Sequence, residues 1–226
     1  MSRAGADSFW ESDEAVERFT DREPDARLLE LLDGHSDAGQ VRVLDIGCAA
    51  GRNTVMLAER GFDVLAIDGS EAMVARTRER VARVLGSDEA NRRVVRGGME
   101  DLSPFADASV HLLVALGVLH QATSESQWTG AIREMSRCAA PDAMLLVAVW
   151  SPRSRPHGES IRRVSGEEHV YEGFHSGTHY LVEAPLLDSE LGSAGFTPVV
   201  PTEEVLVETE KGWRVTINGL YRRTRS

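Results

Sequence analysis

The sequence predicts an α/β fold: a mostly parallel sheet with helices on both faces, finished by an antiparallel hairpin. Three observations lead there. Between residues 41 and 150, short apolar runs bounded by turn residues alternate with helical patterns, as strand–helix–strand units do. A glycine-rich turn follows the first of those runs. Near the end, Val205 to Glu208 and Trp213 to Tyr221 flank a turn at Lys211-Gly212, a hairpin pattern.

Each element has a local reason. Ser12 caps a helix through about Phe19, with Val16 and Phe19 on one face. Pro24 suits the first turn of a second helix; Leu28, Leu29, Leu31 and Leu32 follow, and Gly34 ends it. Residues 34–40 read as a polar loop. Val41 to Ile46 is a buried-strand pattern. Residues 52–60 form a helix ended by Gly61, and Phe62 to Ile67 a second strand. Ser70 caps a helix to Leu85 that Gly86 closes. Arg93 to Arg96 and Val110 to Leu116 are the third and fourth strands. Residues 124–139 are a helix with Trp128, Ile132 and Met135 on one face, and Met144 to Trp150 is the fifth strand. Residues 151–181 show no clear period, and 185–195 read as a short helix ended by Gly195.

Composition narrows the function classes. The 226 residues are 42% hydrophobic and 27% charged, an ordinary globular balance. The net charge of −11 disfavours a broad nucleic-acid footprint and an anionic membrane surface. Residues 1–40 hold 11 acids and 4 bases, whereas residues 41–100 hold 10 bases and 9 acids. The acidity thus belongs mostly to the first segment, and the charge argument against nucleic acid is weaker for the remainder. The opening residues lack the apolar stretch of a signal peptide, and no run is long enough to span a membrane. Cys48 and Cys138 sit in no paired motif, so no metal site is expected from them and the thiols are expected to stay reduced in a cytoplasmic protein.

The strongest signal is Val43-Leu44-Asp45-Ile46-Gly47-Cys48-Ala49-Ala50-Gly51-Arg52-Asn53. It joins a buried strand to a helix start, where glycines let backbone approach a ligand. Asp68 stands at the end of the next strand, followed by Gly69-Ser70. An acid there can accept hydrogen bonds from a ribose diol. A dinucleotide fingerprint would need glycine at 49 and 52, which are Ala49 and Arg52; this counts against a dehydrogenase. An acid before the turn, as in Asp45-x-Gly47-x-x-x-Gly51, suits a ligand carrying an ammonium and a sulfonium.

These residues resemble the class I S-adenosyl-L-methionine-dependent methyltransferases, clearly over about residues 41–150. The resemblance implies a single Rossmann-like methyltransferase domain at 41–226, with a mostly parallel seven-stranded sheet, an N-terminal helical cap at 1–40 and a substrate-side insert at 151–184. The family loop is usually (D/E)-x-G-x-G-x-G, from which Ala49 departs. By resemblance, Asp45 orients the loop and the amino end of the cofactor, Gly47 and Gly51 pass under its methionine part, Asp68 binds the ribose, and Cys48, Ala49 and Gly69 belong to the cofactor-binding set. Gly98 falls where the family often has an adenine-binding Asp, so Met99 is expected to pack on adenine and Glu100 to supply the polar contact. Trp10, Asn53 and Leu116 complete the expected cofactor set. Met73 reads as core or as ribose lining, and Phe9 with Trp10 as a lid or as a staple for the first helix. Arg52-Asn53 and Asn218-Gly219-Leu220-Tyr221-Arg222-Arg223 resemble tellurite-resistance-type small-molecule methyltransferases.

The acceptor is less legible. His120, just past the fourth strand, is a candidate general base or simple lining, and His175 is a second candidate base. Tyr171, Phe174, His175 and His179, with His120, are the expected acceptor lining. Gly173 and Gly177 argue against a helix that would make a metal site of His175 and His179. Arg153, Arg155, Arg162 and Arg163 either hold an anionic substrate or form a solvated face. No Asn/Asp-Pro-Pro-aromatic motif follows the fourth strand, where Leu116-Gly117-Val118-Leu119 stands, which disfavours adenine or glutamine amino-methylation. The expectation is therefore methyl transfer to a small molecule through O, N or a chalcogen. Alternatives are methylation of protein or RNA, or a non-catalytic cofactor-binding partner subunit. Oligomeric state is left open.

Overall fold

The computed structural model describes residues 9–33, 37–174 and 176–224. Two short helices, α1 (Asp13–Thr20) and α2 (Ala26–Leu32), lead into the alternating region. That region runs β1 (Arg42–Ile46), α3 (Arg52–Glu59), β2 (Asp63–Asp68), α4 (Glu71–Leu85), α5 (Ser87–Arg93), β3 (Val94–Arg96), β4 (Val110–Leu116), α6 (Glu125–Cys138) and β5 (Ala139–Trp150). There follow β6 (Arg162–Arg163), β7 (Val170–Phe174), β8 (Gly177–Tyr180), α7 (Ala184–Ser193), β9 (Phe196–Pro198), β10 (Glu203–Thr209) and β11 (Gly212–Arg223).

The main sheet runs β10-β11-β5-β4-β1-β2-β3, and short β9 pairs with the end of β11 as an eighth strand. All pairs from β5 to β3 are parallel; β11 runs antiparallel to both neighbours. Alternate residues of the central strands feed opposite faces. Leu44, Leu113 and Leu145 pack with Trp128 and Met135 of α6 and with Leu187 and Leu191 of α7. Val43, Val64 and Val114 pack with α2 and α3 through Leu28 and Leu57. Burial on both faces explains why β1 reads as an unbroken apolar run.

The caps follow the local chemistry. Ser12 Oγ accepts from the Ala15 amide, and Ser70 Oγ from that of Met73. Gly86 closes α4 at φ +86°. Three elements differ from expectation. Residues 87–93 form α5, and β5 begins at Ala139 rather than Met144. Arg162–Arg163, Val170–Phe174 and Gly177–Tyr180, in a stretch with no readable period, form a three-stranded antiparallel sheet, β6-β7-β8. Its Tyr180 stacks on Trp128, centroids 4.8 Å apart, which docks the small sheet onto α6.

Candidate active site

The carboxyl ends of the parallel strands open into a cavity of about 1510 Å³, the usual ligand position in such sheets. The turn after β1 forms its floor. Gly47 adopts φ +72°, and a Cβ there would meet Val118 at 2.5 Å. The Gly47 and Cys48 amides donate to the Ile67 carbonyl, at 2.8 and 3.1 Å. Ala49 takes φ +46°, keeping the left-handed shape despite its methyl.

Two acids face the cavity from adjacent strand ends. Asp45 is 3% exposed and accepts from the Thr54 hydroxyl at 2.6 Å. Burial pushes its carboxyl up to about 6. Asp68 accepts from the Ala49 amide at 2.8 Å and the Ser70 amide at 2.9 Å, tying the loop to the start of α4. Its carboxyl is also raised, by burial.

Beyond β3, Glu100 accepts from Gln127 Nε2 at 3.1 Å, while its Oε2 is buried with no hydrogen-bond partner among the described residues. A Cβ on Gly98 would stand 2.5 Å from that same oxygen. The Glu100 carboxylate thus occupies the space a side chain at 98 would take.

Beyond β5 the wall is aromatic. His120 stacks on Trp150 at 4.2 Å, and Phe174 lies 5.2 Å from Trp150. Burial holds His120 well below the usual imidazole range, and its Nδ1 has no partner among the described residues. Behind this wall His179 donates from Nδ1 to the His120 carbonyl at 3.0 Å and accepts the Ser176 hydroxyl at Nε2, 2.8 Å away. The carbonyl can only accept, so it sets the tautomer. Burial lowers His179 to about 4.

Of the expected site residues, Trp10, Asp45, Gly47, Cys48, Ala49 and Asn53 line the cavity. So do Asp68, Gly69, Met99, Glu100, Leu116, His120 and Phe174. Gly51 does not: a Cβ there would meet Thr77 of α4 at 2.8 Å, so it serves helix packing. Met73 is fully buried in a cluster with Ala15, Val16 and Ala50. Tyr171 lies away from the cavity, with Arg163 above its ring, and His179 sits behind the wall. His175 lies outside the described residues. Arg153 and Arg162 pair at the surface with Glu204 and Glu172. Asn53 accepts from the Asp25 amide and Arg52 donates to the Glu23 carbonyl, so both tie the N-terminal segment to the body. Sequence reasoning missed Trp150, Ser176, Gln127 and Arg214 on the cavity wall. Trp150 alone had a signal, its place at a strand's carboxyl end.

The chain was then compared with known proteins. Residues 43–142 match the methyltransferase-domain family. The matched segment holds the loop, Asp68 and Glu100. The chain is 27% identical over 176 residues to a ubiquinone biosynthesis O-methyltransferase of Azorhizobium caulinodans, covering 76% of this chain and 62% of that one. It is 28% identical over 109 residues to a probable tRNA methyltransferase 9B of Mus musculus, covering 48% of this chain and 22% of that one. The chain therefore spans less than two thirds of either relative. A SAM-dependent methyltransferase structure from Methanosarcina mazei superposes with a TM-score of 0.69 at 18% identity, covering 91% of this chain and all of that one. The fold is the Rossmann-like methyltransferase fold. Among the described residues, no helix is long and apolar enough to cross a membrane.

Proposed function

We propose that the protein transfers a methyl group from S-adenosyl-L-methionine to a small-molecule acceptor. The observation that carries this reading is the pair of acids, Asp45 and Asp68, at adjacent strand ends around a left-handed loop. That donor set fits the cofactor: one carboxylate for the ammonium end and one for the ribose diol. The orphaned Glu100 Oε2 and the small Gly98 fit a polar contact near the adenine. When bound, the cofactor supplies an electrophilic methyl on a positively charged sulfur, already a good leaving group.

The chain's own residues then have three tasks. Asp45, Asp68 and Glu100 hold the cofactor. Trp10 and Phe19, in contact at 5.1 Å, cover one side and exclude water. Trp150, Phe174 and His120 orient the acceptor. His120 and His179 are weak bases, because burial keeps both neutral. His120, held from behind by His179, therefore positions an acceptor that reacts as an anion or a soft nucleophile, with little demand for deprotonation. The cavity, about 1510 Å³, has room for cofactor and a small acceptor together. The resemblance to tellurite-resistance-type enzymes points the same way. We place this chemistry in the cytoplasm, where thiols such as those of buried Cys48 and Cys138 remain reduced.

The test is incubation with methyl-labelled S-adenosyl-L-methionine and a low-molecular-mass metabolite extract. Labelled product heavier by one CH₂, with S-adenosylhomocysteine formed alongside, is expected. Label transferred only to added RNA or protein would refute the small-acceptor reading.

A further inference from the structure

Three arginines converge on the cavity from distant parts of the chain: Arg18 of α1, Arg22 just beyond it, and Arg214 of β11. Among the described residues, none of the three forms an ion pair with an acid. The other cavity arginines are satisfied. Arg27 and Arg52 share Asp25, at 2.7 and 3.8 Å, and Arg96 pairs with Glu71 at 3.0 Å. Most acids of the wall are also committed. Glu11 accepts from the Glu71 and Ala72 amides, Asp45 from Thr54, Asp68 from the Ala49 and Ser70 amides, and Glu100 from Gln127. Exposed Glu14 alone, one turn before Arg18, tempers the positive end.

Two of the guanidiniums, Arg214 and Arg22, are placed at a cost. Arg214 lies over the Trp150 ring at 5.5 Å, and its Nε is buried without a hydrogen-bond partner among the described residues. Arg22 lies over Phe19 at 4.2 Å. Partial desolvation at the cavity rim lowers the Arg22 guanidinium, and the like charges of Arg18, Arg52 and Arg214 lower it further. Burial and Arg18 do the same to Arg214. Like charges gathered around an unfilled donor are relieved by an anion that accepts from several of them at once. The cavity is thus polarised, with carboxylates at the strand ends and free guanidiniums beside the aromatic wall.

We propose that Arg214, Arg22 and Arg18 form the acceptor subsite and that the acceptor carries an oxyanion, a carboxylate or a phosphate, on an apolar planar body. The oxyanion binds the guanidiniums and the planar body lies among Trp150, Phe174 and His120. This deepens the methyltransferase reading and rests on it for the name acceptor, but the anion site itself can be tested apart from it. It also accounts for a methyl-acceptor site that is basic in a protein whose net charge is −11.

The experiment is calorimetric titration of the full chain, saturated with S-adenosylhomocysteine, with benzoate, phenyl phosphate and benzamide at low salt. Benzoate or phenyl phosphate is expected to bind at least about tenfold more tightly than uncharged benzamide, and the stronger of the two names the anion. Arg22→Gln and Arg214→Gln are each expected to shrink that gap to about threefold or less. Arg22 is exposed, so its variant keeps the test valid if Arg214→Gln folds poorly. Equal binding of the three probes, no binding of any, or a gap that survives both substitutions overturns the proposal. Failure of S-adenosylhomocysteine to bind would instead refute the methyltransferase reading, and the same three probes on the unloaded chain would still decide the anion site.

Discussion

Replacing Gly47 with alanine tests whether the cavity floor is built as described. The residue sits at φ +72°, and its added Cβ would lie 2.5 Å from both Cβ and Cγ2 of Val118. The left-handed conformation costs an L-residue about 1–2 kcal/mol. Loss of unfolded-state freedom returns about 0.4–1 kcal/mol. Overpacking against Val118, on the turn after β4, adds about 1–3 kcal/mol. The net is a loss of about 1–4.5 kcal/mol, read as a lower urea midpoint with unchanged slope. The steric share is separable, because Val118→Gly removes the atoms in the way but leaves φ untouched. A double-mutant cycle should therefore show favourable coupling of about 1 kcal/mol or more. Stability of Gly47→Ala within about 0.5 kcal/mol of the parent, below the smallest loss those terms allow, would refute the geometry. So would zero coupling to Val118.

Two further outcomes follow from the same loop. Ala49→Gly should change stability by less than about 1 kcal/mol, since relief at φ +46° is offset by glycine's larger unfolded entropy; Ala49→Val should cost more, and urea melts that rank the two the other way would contradict the φ argument. Asp45 should make cofactor binding pH-dependent. Its carboxyl, raised by burial to about 6, stays protonated in the folded free protein between its ordinary value and about 6. Over that window the free fold loses stability as pH rises, whereas a bound ammonium favours the carboxylate. Affinity for S-adenosylhomocysteine should therefore fall several-fold from pH 7 to pH 5, and Asp45→Asn should flatten the profile; an unchanged slope in that variant would remove Asp45 from the ammonium site.

The parts of the fold that were legible in the sequence are those set by local chemistry. Ser70 and Gly86 announced both ends of α4, because a hydroxyl cap and a positive φ are properties of single residues. The central strands were visible because burial on both faces demands unbroken apolar runs. Helix α5 was missed because only Ala90 of its seven residues is buried, so it has no apolar stripe to read. The β6-β7-β8 sheet was missed because its strands are two to five residues long and are held by distant partners such as Trp128. The same division runs through the site. Asp45, Gly47 and Asp68 stand out because the loop needs them at fixed spacing. Arg18, Arg22, Ser176 and Arg214 come to line one cavity only once the chain has folded, and no local period encodes that. Gly51 stood at the right spacing for the site but serves packing against Thr77 of α4, and Met73, read as core or ribose lining, is core.

The central claim is that this cavity binds S-adenosyl-L-methionine through the acids at the ends of β1 and β2. Calorimetric titration of S-adenosylhomocysteine into the parent chain and into Asp68→Ala measures it most directly. The account predicts one site per chain in the parent. It predicts a loss of about a hundredfold or more in the variant, from charge-assisted hydrogen bonds worth about 1.5–3 kcal/mol each. Absence of binding to the parent, or affinity in a folded Asp68→Ala equal to the parent's, would contradict it.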